Sequence, residues 1–161
     1  MSKPQLDSTF FEKVIMFNAL TSEPYLASVI DHIEPRFFEN KNIQSVIGLI
    51  QEFFEKRGSI PTLTEIKSYL TTPELKEHFK AVVGYIQGFD KKFNKDELYE
   101  NTEQFLKEKA VYHTLLDVVG DCDKGNVDTS DILSKFESSC NITLGTDLGL
   151  DYFDQIDDHI N

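Results

Sequence analysis

Apolar residues recur along this chain at helical spacing, in runs short enough to be separate elements. From Ser8 the stretch STFFEKVIMFNAL offers a Ser or Thr cap, then a face of Phe11, Val14, Ile15, Asn18 and Ala19. Pro24 suits the first turn of a second helix, whose stripe of Tyr25, Leu26, Val29, Ile30 and Ile33 runs to Pro35. After Phe37 and Phe38, Asn40 or Asn42 can cap a third helix with a face of Ile43, Val46, Ile47, Ile50, Phe53 and Phe54. Gly58 ends it behind Lys56 and Arg57, cations suited to the negative end of a helix. Ser59 to Thr62 is extended ahead of and around Pro61, and Thr62 or Thr64 with Glu65 starts a short helix through Leu70. Pro73 opens a fifth, bearing Leu75, Phe79, Val82, Val83 and Ile86 and closing near Gly88.

The pattern then changes. From Asn94 or Asp96 to Asp121 runs one long amphipathic helix in which Leu98, Phe105, Tyr112 and Val119 recur every seven residues, with Leu106, Leu115 and Leu116 alongside. Asp123 to Asp128 is a turn, and Asp128 or Thr129 caps a return helix with Ile132, Leu133, Phe136 and Cys140 on one side. A breaker stretch with two glycines, Asn141 to Gly149, precedes an amphipathic tail carrying Leu150, Tyr152, Phe153 and Ile156 among five aspartates. The expected fold is all-α: a compact bundle of about five short helices over 1–92, a helical hairpin over 93–141, and a linker with a short helix over 142–161.

Leu98, Phe105, Tyr112, Leu116, Val119, Ile132 and Phe136 are the candidates for hairpin packing. Some must hold the two hairpin helices together, so not all can face a partner. The stripe could simply complete one domain's core. Against that, a helix of about 26 residues extends about 39 Å, longer than the short helices before it can cover, and an uncovered apolar face calls for another chain. Leu150, Tyr152, Phe153 and Ile156 fit a helix that docks into a groove, or else an ordinary terminus.

The chain has 161 residues with 40% hydrophobic, enough to fill one core. No run approaches the span of a bilayer and the N-terminus has no apolar signal core, so a cytoplasmic protein is expected. A net charge of -12 argues against tight nucleic-acid binding and points to protein partners. Two thirds of that excess lies between 121 and 161, where ten acidic residues face only Lys124 and Lys135. Cys122 and Cys140 suggest neither a disulfide framework nor a zinc site.

Chemistry-bearing motifs are missing. There is no Gly-Lys-Ser or Gly-Lys-Thr phosphate loop. His32, His78, His113 and His159 are scattered, and none lies beside a nucleophile in a recognisable context. Asp147, Asp151, Asp154, Asp157 and Asp158 lack the glycine and closing glutamate of a calcium loop and read as a solvated face. No catalytic, cofactor-binding or metal-ligating residue is assigned.

A family resemblance is spread over residues 11–140. Val14 to Leu20, Tyr25 to Ile30 and Glu34-Pro35-Arg36-Phe37-Phe38 are followed by the Val46 to Gly58 helix, Ile60-Pro61-Thr62 and Ile66. In the hairpin come Tyr99, Phe105, Lys109-Ala110 and Leu115-Leu116. In order and spacing the chain resembles the N-terminal domain of DnaB-family replicative helicases, most closely the version in T-even-type bacteriophages. The tail from Leu148 to Gln155 is similar to the start of the linker that, in this family, leads to the ATPase domain.

What the resemblance implies is a collar domain. Pairs of such domains associate through their hairpins, three pairs make a ring, and the ring supports hexamer assembly and receives primase or a helicase loader. ATP and magnesium are expected only for the motor domain, whose motifs are not in this sequence, so no ATPase or unwinding residue carries over. Residues 71–79 look like an extra piece. The location implied for a phage-encoded protein is the host cytoplasm. One rival is the helicase-binding domain of a primase, or a stand-alone helicase adaptor; such a primase domain normally follows a catalytic domain, whereas Met1 reads as a native start. Another rival is a small metal-dependent hydrolase built on the acidic tail, which metal-dependent activity would reveal. A reading frame continuing past Asn161 into a Gly-Lys-Thr loop favours the helicase.

Overall fold

A computed structural model describes residues 8–89 and 94–144. Every regular element among them is helical, as expected. The chain divides into two compact units, Met1–Lys92 and Phe93–Asn161.

The first unit contains α1 (Ser8–Thr21), α2 (Glu23–Val29), a single 3-10 turn (Pro35–Phe37), α3 (Lys41–Arg57), α4 (Leu63–Ser68) and α5 (Pro73–Ile86). Its core is built on α1 and α3. Helix α1 packs on α2 and α5, while α3 packs on α5 and the 3-10 turn. Central positions make α1 buried on more than one face: Phe11, Val14, Ile15 and Ala19 are joined by Met16, and Asn18 donates its amide to the Val14 carbonyl at 2.8 Å. Helix α2 ends at Val29, earlier than the apolar stripe suggests. Ile30 and Ile33 are buried all the same, carried inward by the turn that follows, because apolar spacing reports burial whether or not the helix continues.

Helix ends follow local chemistry. The Asn40 side chain accepts from the backbone N–H groups of Asn42 and Ile43 at 2.9 and 3.1 Å and starts α3. Gly58 ends α3 in the left-handed region at φ 68°, a backbone conformation that favours glycine. Thr62 and Glu65 form a reciprocal capping box on α4, and the Thr72 hydroxyl caps α5.

The entry to α3 also has a remote support. Glu12, fully buried in α1, accepts from the backbone N–H of Glu39 at 2.9 Å and of Asn40 at 3.2 Å. A buried carboxylate without hydrogen bonds is costly, and these two donors keep it in place beside the positive end of α3. The turn before α3 is tied further by Gln44, whose amide donates to the Phe38 carbonyl at 2.6 Å, and by Gln51, whose amide donates to the Ile33 carbonyl.

The second unit is the hairpin. Helix α6 (Lys95–Asp123) has 29 residues, hence a length of about 44 Å, and α7 (Thr129–Cys140) returns against it. Asn94 caps α6 and Asp128 caps α7. Gly125 makes the reversal at φ 82°, a value that favours glycine. Beyond α7 the chain stays with the hairpin: Ile142 and Leu144, assigned by sequence to the linker, are buried, and the Leu144 N–H donates to the Glu103 carboxylate at 3.0 Å.

Candidate functional site

Among the described residues most of the exposed large apolar side chains lie on the hairpin, with Phe10 and Leu63 the exceptions in the first unit. The two helices of the hairpin are held by a narrow polar and small-residue seam. The buried Ser139 hydroxyl lies 2.7 Å from the Thr114 hydroxyl, 3.0 Å from the Lys135 carbonyl and 3.4 Å from the Ala110 carbonyl. A serine facing an alanine lets the two backbones come close. Nearer the turn, the Lys135 amine lies 3.0 Å from Asp131 and 3.5 Å from Asp121. The hydrogen bond to Asp131, then the carboxylate charges, hold that amine above the ordinary lysine range.

Along α7, Ile132 and Phe136 are half-buried, while Leu133 and Cys140, grouped with them on one side by sequence, are exposed, and Ser139 takes the inward position. The reason is rotational: Ile132, Phe136 and Ser139 share a face at helical spacing, whereas Leu133 stands about 100° round from Ile132.

Along α6 the seven-residue stripe divides in two. Leu98 and Phe105 are buried, with Thr102 and Leu106 inside beside them, and the Lys109 amine lies 5.6 Å from the centre of the Phe105 ring. From there on the same stripe is open. Tyr112 is 55%, Leu116 48% and Val119 50% exposed, and Leu115, not among the sequence candidates, is 50% exposed. These four lie at i, i+3, i+4 and i+7 and so form one continuous ridge. Their side of α6 is roughly opposite Ala110, Thr114 and Asp121, the positions that meet α7. Leu115 was legible from its spacing to Tyr112; what the sequence could not show is which half of the stripe stays uncovered. Val127 in the turn and Leu133 on α7 add exposed apolar surface at the same end of the hairpin.

Leu150, Tyr152, Phe153 and Ile156, the linker-docking candidates, lie outside the described residues, as do the tail aspartates. Among the described residues no helix is long and apolar enough to cross a membrane. No family model matches the sequence, and a search of the curated proteins finds no match.

Proposed function

We propose that this chain is an N-terminal collar domain of a replicative hexameric DNA helicase, an oligomerisation and partner-binding domain that does no catalysis itself. In this reading the hairpin joins copies of the domain, the collar helps assemble the hexameric motor, and primase or a helicase loader binds it. The observation that carries self-association is the open half of the α6 stripe: four large apolar side chains in a row, each about half exposed, on the face turned away from α7. The collar assignment rests in addition on the order of motifs along residues 11–140 that resembles the DnaB-family domain. The acidic balance of the chain suits protein partners better than direct contact with phosphates.

Two measurements test it. Light scattering across a concentration series should show the chain associating, and Leu116→Ala with Val119→Ala should return it toward monomer with unchanged circular dichroism. A parent chain that stays monomeric at high concentration refutes self-association of the domain. Sequencing the coding region beyond codon 161 tests the helicase assignment separately, since a phosphate loop of the Gly-Lys-Thr type should follow; a frame that continues into any other catalytic domain refutes it.

A further inference from the structure

Helix α7 is too short to cover α6. It ends at Cys140, with Ser139 beside the Ala110 carbonyl, so the part of α6 before Ala110 lies beyond its reach. The chain runs on without a helix. From Asn141 to Leu144 exposed and buried positions alternate: Ile142 and Leu144 are inside, Asn141 and Thr143 are open to solvent, and this is the period of an extended segment. The far end of the segment is fixed, because the Leu144 N–H donates to the Glu103 carboxylate at 3.0 Å. Glu103 stands about 10 Å before Ala110 along α6, and four extended residues reach about 13 Å, so the segment lies along the helix rather than looping away from it.

We infer that residues 141–144 are a latch. Closed, they hold the root of the acidic tail at the level of Glu103; they open without unfolding of the hairpin and return that root to the level of Ala110. Two features make the latch separable. The α6–α7 pair is held by contacts of its own, Ser139 with Thr114 and Lys135 with Asp121, in which 141–144 take no part. Residues 142–144 belong to no helix, and the Leu144 N–H is bonded to a side chain rather than to a helical ladder. Segments held by few contacts open at a lower free energy than the elements they lie on. Opening frees about 13 Å of chain and uncovers two apolar side chains, so burial opposes it and any draw on the chain beyond residue 144 favours it. The latch is independent of the collar reading and of any pairing between copies.

Hydrogen exchange followed by nuclear magnetic resonance in the full chain reads the latch amide by amide. The Leu144 amide should be protected, yet exchange faster than the Thr114 amide in the seam. Glu103→Ala should speed exchange at Leu144 at least about tenfold, the loss of a hydrogen bond to a charged group, and leave Thr114 unchanged; Glu103→Gln, which keeps a carbonyl acceptor, should fall between. A distance readout checks the position of the root. With Cys122→Ser and Cys140→Ser, both native cysteines being exposed, spin labels on Lys124→Cys and Thr143→Cys in chains diluted with unlabelled ones should give one narrow separation of roughly 30 Å along α6. Leu144→Ala with Glu103→Ala should broaden it while circular dichroism stays unchanged. An unprotected Leu144 amide in the parent chain overturns the closed state. A single common exchange rate for Leu144 and Thr114, or equal acceleration of both in Glu103→Ala, overturns separate opening, since the segment would then move only with the hairpin.

Discussion

Removing the Glu12 carboxylate should destabilise the first unit by an amount the structure allows to be worked out. Glu12 is fully buried and is the acceptor for two backbone N–H groups, those of Glu39 and Asn40, at 2.9 and 3.2 Å. A hydrogen bond to a charged group contributes about 1.5 to 3 kcal/mol, and donors left buried without an acceptor forfeit that and their hydration. The longer bond belongs at the low end, and relief of the buried charge offsets part of the loss. Glu12→Ala should therefore cost about 3 kcal/mol, a urea midpoint shift of roughly 1.5 M at a slope of about 2 kcal/mol per M. Glu12→Gln keeps the volume and one carbonyl oxygen, so it should cost roughly half as much. The Glu39 side chain is exposed and only its backbone takes part, so Glu39→Ala should change stability by less than about 0.5 kcal/mol. Hydrogen exchange adds a local readout, with the Glu39 and Asn40 amides expected to exchange faster in Glu12→Ala. If Glu12→Ala lies within about 0.5 kcal/mol of the parent, the carboxylate is not supporting the α3 entry and the reasoning is wrong.

Other outcomes follow from single residues. Leu116→Ala should weaken association about thirtyfold by light scattering: burying the 48% of the leucine left exposed contributes roughly 1 kcal/mol per copy, twice over in a symmetric pair. Gly58→Ala should cost about 1 kcal/mol in urea unfolding, because φ 68° places a Cβ in a strained conformation although nothing stands within 4 Å of it. Ser139→Leu should lower the thermal midpoint and separate α7 from α6, since a leucine cannot fit 3.4 Å from the Ala110 carbonyl; an unchanged midpoint would mean that the seam tolerates a wider spacing.

Most helix starts, and the stop at Gly58, were legible in the residues because caps are local chemistry, whereas the end of α2 at Val29 was not. Asn40, Thr62, Asn94 and Asp128 each bond to a backbone N–H within the next three residues, and Gly58 and Gly125 supply a left-handed turn that needs no distant partner. The helical period, and with it the all-α fold and the hairpin, came from the same short range. Glu12 was not legible: its partners lie 27 and 28 residues away, and an acid inside a helical pattern looks like a solvated one until the chain closes over it. Nor could periodicity tell that Ser139 rather than Leu133 or Cys140 turns inward, since a contact as close as that with Ala110 depends on how near two backbones come. The α6 stripe shows the division most plainly. Its seven-residue spacing was fixed by sequence, but the burial of Leu98 and Phe105 and the exposure of Tyr112, Leu116 and Val119 were decided by tertiary structure, because periodicity gives a side chain its direction and only the packed neighbours determine whether anything covers it.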